Sequence, residues 1–436
     1  MLCLLAYIYK AKFLGNCGGR AVKKQYLSGL QLTSLVAVAT LGQIGVCTAQ
    51  AATISKPLDL VINTDGGVDD AAAIVWLLTQ EKYPVNVLGF SVVAGDTTVE
   101  NAANNVLTLL DTLGQDIPVV IGAAEPLSQP LSRTGSFLHG SDGLWGAQTT
   151  HDLSSLSDDV PSFYNDLTQT NPGATLLSLG PLTNLAQTLD EYPKAMNSFD
   201  QIIAIGGAKN GGNITPVAEF NVWQDPDAAE ELLSADLPTT LIPLDAFEEF
   251  TLTDEDIQAL QKGTEAAQLI AGPLERYADV QTQFGGSTDA SIPDLTAAMY
   301  AVDESLGTTK SALVKVLTES NLARGETVTG LTLIERLSMI ASDAELSELA
   351  VRASDPNFDL STAIKNILAR EPYNAQIVTD IEAERMHELF FNALTPAPVP
   401  EPSSVLGLLT LGAFGVASLK RKQRMNSRQS SKNQSR

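Results

Sequence analysis

The densest group of residues able to do chemistry is Asn63-Thr64-Asp65-Gly66-Gly67-Val68-Asp69-Asp70. Three carboxylates fall within six residues, around two adjacent glycines. Carboxylates this close repel one another unless a cation sits among them, and an oxygen-rich donor set suits a hard ion such as calcium or magnesium. The same residues admit a plainer reading, a helix cap plus a solvated acidic turn, because short motifs recur by chance. Further residues of suitable chemistry are scattered along the chain: Asp96, His139, Asp142, Asn213, Glu219, Asn221, Asp245 and Asp294.

What surrounds these residues narrows the chemistry. The three cysteines are Cys3, Cys17 and Cys47, so a chain trimmed before residue 52 has no thiol for a disulfide, a zinc site or a nucleophile. With only His139, His151 and His387, a multi-histidine metal site is disfavoured. The formal net charge of -24 is unevenly spread: of 27 basic residues 12 lie outside 52–394, whereas 50 of the 51 acidic residues lie inside it, which puts that body near -35. Nucleic acid and anionic membranes are therefore poor partners for it.

The elements that must position the acidic turn follow from local patterning. An apolar run, Leu58 to Ile62, enters the turn as a strand, and Ala71 to Leu78 leaves it as a helix with Asp69 and Asp70 in its first turn, where carboxylates face the positive end of the helix dipole. Further strands are expected at Val85–Ala94, Ile117–Ile121, Ala174–Leu179, Gln201–Ile205 and Thr239–Pro243, with helices at Glu100–Leu113, Leu182–Leu189 and Pro226–Ala235. This alternation predicts an α/β fold, a single Rossmann-like domain with a mainly parallel central sheet flanked by helices. In such sheets ligands sit beyond the carboxyl ends of strands. Asp65, Asp96, Leu179, the loop Gly206–Asn221 and Asp245 all fall there. Phe137 to Gly146 has no regular period and reads as a glycine-rich binding loop with aromatics. From Ser305 the pattern becomes more helical, and Glu335 to Glu371 reads as an insertion of two or so helices.

Four pieces in order, Asn63 to Asp70, Gly180-Pro181-Leu182-Thr183-Asn184, Gly206-Gly207-Ala208 and Ala218-Glu219-Phe220-Asn221 with Asp225-Pro226, resemble the inosine–uridine nucleoside hydrolase family. Asp116-Ile117-Pro118-Val119, His139-Gly140 with Asp142-Gly143-Leu144, and Arg324-Gly325-Glu326-Thr327 support the match, which covers roughly 57–333 plus Asn374 to Leu394. The resemblance implies a calcium-dependent N-ribohydrolase on a Rossmann-like α/β fold, with a small-molecule nucleoside as substrate. It implies Asp65 as general base on a water at the calcium and as a ligand. Asp70, the Leu179 backbone carbonyl and Asp294 complete the protein ligands, and Asp69, Asn213, Glu219 and Asn221 hold the ribose hydroxyls. Asp96 and Phe220 join the substrate-binding set. Breaking an N-glycosidic bond builds positive charge on the ribose, and a ring of carboxylates stabilises it.

Three positions depart from the family pattern. The motif opens with Asn63 where aspartate is usual, and Gly95-Asp96 stands where glycine-asparagine is usual; the swaps cancel in charge, with Asp96 restoring a carboxylate near the ion. Pro293 occupies the position of a histidine that, in many members, protonates the leaving base. General acid catalysis is worth roughly 10²–10⁴-fold, so a substitute is needed, and His139 or Asp142 from the loop is a candidate. His139 also suits an ordinary hydrogen-bonded structural role, and Trp145 and Trp223 suit either base stacking or packing. Two other functions stay open: a non-catalytic calcium-dependent nucleoside- or ribose-binding envelope protein, and a phosphate-handling hydrolase using magnesium, which Asn63 disfavours.

The chain ends suggest export. Lys23 and Lys24 precede an apolar stretch, Leu27 to Val46, and Ala49-Gln50-Ala51 has small residues at the positions a signal peptidase reads, so 1–51 reads as leader and signal peptide cut before Ala52. An uncut anchor is the alternative. After the body 52–394 come a proline-rich linker (395–402), an apolar segment ending in Lys420-Arg421-Lys422-Gln423-Arg424 (403–424) and a polar tail (425–436). Val399-Pro400-Glu401-Pro402 with the segment behind it resembles the PEP-CTERM sorting signal of Gram-negative-type bacteria. That implies sorting and processing machinery at the envelope as a partner; a plain C-terminal membrane anchor is the other reading. Either places the body outside the cytoplasm, in the periplasm, at the cell surface or beyond. The sequence leaves a homo-oligomer open.

Overall fold

A strand buried on both faces reads as a continuous apolar run, and β1 (Leu58–Thr64) is such a strand, fully buried from Leu60 onward. The computed structural model describes residues 56–285, 289–319 and 322–395; the leader, linker, sorting segment and tail lie outside them. Ten further strands follow: β2 (Val85–Val92), β3 (Val119–Ile121), β4 (Thr175–Ser178), β5 (Gln201–Ile205), β6 (Thr239–Ile242), β7 (Thr251–Leu252), β8 (Ala290–Ser291), β9 (Gly307–Val316), β10 (Thr327–Gly330) and β11 (Ala375–Ile381). Nine of the eleven strands form one sheet in the order β10-β9-β11-β6-β5-β4-β1-β2-β3, while β7 and β8 pair separately. From β3 to β11 every neighbouring pair is parallel; β9 runs antiparallel to both β11 and β10.

This topology decides where a ligand goes. The chain builds β1, β2 and β3 outward in one direction, then crosses back to place β4 on the other side of β1. The crevice beyond the carboxyl ends of β1 and β4 is thus the topological switch point, the usual ligand site of open α/β sheets. The first residues past those two ends are Asp65 and Leu179.

Apolar side chains cover both faces of the sheet as two separate clusters. The helix Val68–Thr79 is buried from Val68 to Leu77, as expected of a helix that is apolar all round. It packs beside Pro293–Val302, which is nearly as buried.

One expectation needs correcting. The stretch after Ser305 is not mainly helical at first, because β9 and β10 form an antiparallel edge there. In β9 Thr308 to Ser311 are exposed and only the later residues are buried, so the alternation that marks a strand is lost on this outer position. The 335–371 segment lies in a group of three helices, Leu333–Ile340, Asp343–Arg352 and Leu360–Leu368. The first two open with reciprocal caps, Thr332 with Glu335 and Ser342 with Glu345. The three helices together bury Leu337, Leu346, Leu349, Leu360, Ile364 and Ile367 in a small core of their own. No helix among the described residues is long and apolar enough to cross a membrane.

Candidate active site

The acidic turn is shaped by its glycines. Gly66 adopts a left-handed φ of 72°, and a Cβ there would stand 2.7 Å from the Ala102 Cα, so only glycine fits. Gly67 then caps the helix Val68–Thr79, and its N–H donates to Asp70 Oδ2 at 2.8 Å. Thr64 Oγ1 donates to the other oxygen, Asp70 Oδ1. Asp96 follows β2, and its backbone N–H donates to Asp65 Oδ2 at 2.9 Å, which ties the ends of β1 and β2 together. Asp294 arrives from far along the chain, in the first turn of Pro293–Val302. Two helix N-termini therefore converge on the carboxylates, an arrangement that favours negative charge.

Asp65, Asp69, Asp70, Asp96 and Asp294 are between 0 and 7 % exposed. Among the described residues the only basic side chain close to these carboxylates is His139, with Nδ1 3.6 Å from Asp69 Oδ1 and Nε2 3.3 Å from Asp96 Oδ2. Burial pushes the carboxyls of Asp65, Asp96 and Asp294 well above the usual range, and their mutual repulsion adds to it. Asp69 is pushed up to about 8, again by burial first and Asp70 second. Without a cation these groups cannot all ionise at neutral pH; with one they can. The residues fit such an ion. Asp65, Asp70 and Asp96 bring ligand oxygens within 4.8 Å of one another, as do Asp69, Asp70 and Asp294. Asp69 Oδ1 is buried without a hydrogen-bond partner, and oxygen-only donors suit calcium.

His139 ends a short helix, Ser136–His139, and is 4 % exposed. Its Nδ1 accepts the Val68 N–H at 3.0 Å, so in the neutral ring the proton lies on Nε2, which stands 3.3 Å from Asp96 Oδ2. Burial holds this imidazole down at about 3. Asp142, the other loop candidate, uses Oδ1 to accept the Leu144 N–H at 3.0 Å and closes its own turn.

The residues expected to hold a sugar divide. Leu179 and Asn221 come together, with Asn221 Nδ2 donating to the Leu179 carbonyl at 2.9 Å. Glu219 caps the helix Phe220–Gln224; its carboxylate accepts the N–H groups of Gly207 and Asn221 at 2.9 Å and of Val222 at 3.2 Å. Phe220 is half-buried and stacks on Trp223 at 6.5 Å. Trp223 in turn lies under the guanidinium groups of Arg133 and Arg324. Asn213 is exposed on its loop.

Sequence reasoning missed three participants. Tyr277 packs its ring 5.1 Å from His139, and burial and the charges of Asp69, Asp96 and Asp294 raise its hydroxyl. Nothing in the pattern around Tyr277 set it apart from a core tyrosine. Thr64 stands inside the acidic motif, but its hydroxyl bond to Asp70 is a contact that residue order does not show. Thr327 Oγ1 accepts from the Ala208 N–H at 2.8 Å and donates to the Ala208 carbonyl at 2.7 Å, which fixes the turn after β5. Only the extended partnering of β10 reveals that.

The profile of the inosine-uridine preferring nucleoside hydrolase family matches residues 60–388. The chain belongs to that family. Among its relatives, the non-specific ribonucleoside hydrolase RihC of Salmonella schwarzengrund (strain CVM19633) is 31% identical over 277 residues, 63% of this chain and 88% of the relative. RihC of Salmonella newport (strain SL254) is 30% identical over the same shares. Two solved nucleoside hydrolases share the fold. A plant enzyme, PpNRh1, gives a TM-score of 0.66 at 24% identity, over 78% of this chain and 100% of its own. A purine-preferring ribonucleoside hydrolase from Gardnerella vaginalis gives 0.62 at 23%, over 77% and 97%. This nucleoside hydrolase also carries a match to the PEP-CTERM protein-sorting motif over 398–422, which implies sorting at the envelope.

Proposed function

We propose that this nucleoside hydrolase is an exported, calcium-dependent enzyme that cleaves the N-glycosidic bond of ribonucleosides and releases free base and ribose. In this reading 1–51 is removed on export, 52–394 is the catalytic body and 403–424 is handed to the sorting machinery. One observation supports the catalytic part: five aspartates lie buried at the switch point, and the one basic side chain described beside them, His139, is held neutral by burial. Buried charge on that scale needs a cation.

Asp65, Asp70, Asp294 and the Leu179 carbonyl are the residues that would hold the calcium. A calcium ion held there would offset carboxylate repulsion and would make water a better nucleophile. Asp65 would serve as the proton acceptor for the attacking water, with its Oδ2 held in place by the Asp96 N–H at 2.9 Å. Asp69 Oδ1, buried without a hydrogen-bond partner, accepts a ribose hydroxyl, together with Asn221 and Glu219. The remaining carboxylates stabilise the positive charge that develops on the ribose. Pro293 opens its helix and holds no proton to give, so leaving-group departure relies on the base itself or on other residues.

The same proline supports a second reading, a calcium-dependent nucleoside- or ribose-binding envelope protein without turnover. Incubating the protein with a panel of ribonucleosides and calcium, and following free base, separates the two. Release of base that stops on chelation is expected. Tight nucleoside binding with no base released from any of them would overturn the enzymatic reading.

A further inference from the structure

In a body this acidic an arginine readily finds a carboxylate, as Arg276, Arg352, Arg370 and Arg385 do. Among the described residues Arg133 and Arg324 form no such pair. Both lie over one ring instead, 5.3 and 5.4 Å from the centroid of Trp223. Trp223 belongs to the short helix Phe220–Gln224, which starts on Glu219 and carries Asn221, so the ring is tied to residues proposed to hold the ribose. The two arginines differ in what occupies them. Arg324 Nη1 donates to the Trp223 carbonyl at 2.7 Å and its Nη2 to the Gln224 carbonyl at 3.4 Å, with Asp225 and Asp227 acting on it from nearby. Arg324 is thus committed to fixing the helix. Arg133 is exposed, and among the described residues its guanidinium makes a single long hydrogen bond, Nη2 to the Ile214 carbonyl at 3.4 Å.

The backbone places Arg133 at the mouth of the crevice. Two residues on, the Gly135 N–H donates to the Gly95 carbonyl at 3.2 Å, and a Cβ on Gly135 would stand 2.3 Å from Asp96 Oδ1. Gln224 Nε2 holds the Arg133 carbonyl at 2.8 Å. Ile214 adjoins Asn213, which is expected at the ribose. The side chain therefore reaches from the Asp96 wall to the Asn213 loop, laid flat on a ring with most of its donors open. A stacked guanidinium is a pre-organised fork whose paired N–H groups match phosphate oxygens.

We propose that Arg133 binds the phosphate of a ribonucleoside 5′-monophosphate, so that nucleotides as well as nucleosides are substrates. This rests on the hydrolase reading and widens its substrate class. With the sugar hydroxyls turned to the ion and the carboxylates, a substituent on the 5′ carbon is the part of the substrate that reaches an exposed rim. The rim tolerates an anion. The carboxylate of Glu219 is occupied by backbone N–H groups, and the loop from Lys209 to Asn221 has no other carboxylate. The bond cleaved is the same. The oxygen of water bonds to C1′, the C1′–N bond breaks, and its electron pair leaves with the base, which takes up the proton that the water gives up. The products are free base and ribose 5-phosphate.

Calorimetric binding of ribose 5-phosphate, ribose and inorganic phosphate to the calcium-loaded full chain tests this, beside hydrolysis of adenosine and uridine against their 5′-monophosphates. Ribose 5-phosphate is expected to bind about tenfold tighter than ribose, the scale of one charge-assisted contact, and the preference should shrink as salt is raised. Arg133→Met, which keeps an apolar stem on Trp223, should erase the preference in affinity and in the nucleotide-to-nucleoside ratio of kcat/KM, and Arg133→Lys should retain part of it. No preference for the phosphorylated ligands, or a loss in Arg133→Met shared equally by both members of each pair, overturns the proposal. Inorganic phosphate binding as tightly as ribose 5-phosphate also overturns it, because the anion site would then be unconnected with the sugar. Should no base be released from any substrate, the hydrolase reading fails on turnover, while the phosphate subsite is still judged on the preference for ribose 5-phosphate over ribose.

Discussion

Two groups of buried polar side chains meet at the end of β1, and they are opposites. Asn63 anchors the first. Its amide donates to Ser178 Oγ at 2.9 Å and the Pro181 carbonyl at 3.1 Å, and its oxygen accepts from Ser91 Oγ at 3.0 Å and Asn184 Nδ2 at 2.8 Å. Ser91 is joined to Tyr164, and Asn184 also bonds Val92 and Ala123. Each of these groups is neutral, and Asn63 is satisfied at every position. The second group begins two residues later with Asp65, and there the carboxylates outnumber their partners. A satisfied network stabilises one conformation; an unsatisfied one is poised to bind something. The pair also bears on the exchanged residues. Asn63 belongs to the neutral network and Asp96 to the acidic crevice, so the two substitutions act in different surroundings even though their charges cancel.

The strongest way to break this contrast is to treat the two groups alike by mutation. Asp65→Asn removes the proposed base, and kcat for base release should fall by about 10²–10⁴-fold. The chelated variant should melt no lower than the chelated parent, because a repelling charge has gone. A variant that unfolds instead would place Asp65 with the structural group. Asn63→Ala should do the reverse. Loss of its four buried hydrogen bonds should cost about 2–4 kcal/mol in urea unfolding, with calcium affinity in the surviving folded protein little changed. A large drop in calcium affinity at unchanged stability would contradict the division.

A gentler probe is pH. The carboxyls of Asp65, Asp69, Asp96 and Asp294 are raised in the cation-free protein, so the folded state holds protons that the unfolded chain releases. Their contribution is fully present below the ordinary carboxylate pKa and is lost as pH rises towards about 8, the value for Asp69. Chelated protein should therefore melt several degrees lower at pH 8.5 than at pH 5.5, and added calcium should remove most of that difference at the higher pH. Equal melting temperatures across this range would mean that the crevice is not under electrostatic strain. The smallest expected effect lies at the loop behind the site, where Lys209 Nζ stands 3.2 Å from Glu335 Oε1. Both groups are about one-third exposed, so Lys209→Met should change stability by at most about 1 kcal/mol.

Much of this division could be read from the chain before folding. Strand ends are local events, so Asp65, Asp96 and Leu179 were placed on one rim by pattern alone, and the turn glycines showed where the backbone must bend. Partnership is not local. Nothing near Asn63 in sequence names Ser178 or Asn184, and nothing near His139 says that its Nδ1 is engaged by Val68. Likewise the outer strand β9 hid because only part of it is buried, and the aromatic contact between Phe137 and Phe284 spans a long stretch of chain. Residues whose chemistry follows from their neighbours in sequence were legible; those defined by neighbours in space were not.

The three helices from Leu333 to Leu368 bury their leucines and isoleucines chiefly on one another. They sit beside β10, on the outer margin of the sheet, as a passenger with its own interior. Trimming or swapping them would leave no void under the catalytic crevice. That edge of the scaffold offers a natural point at which to graft an unrelated module onto the hydrolase.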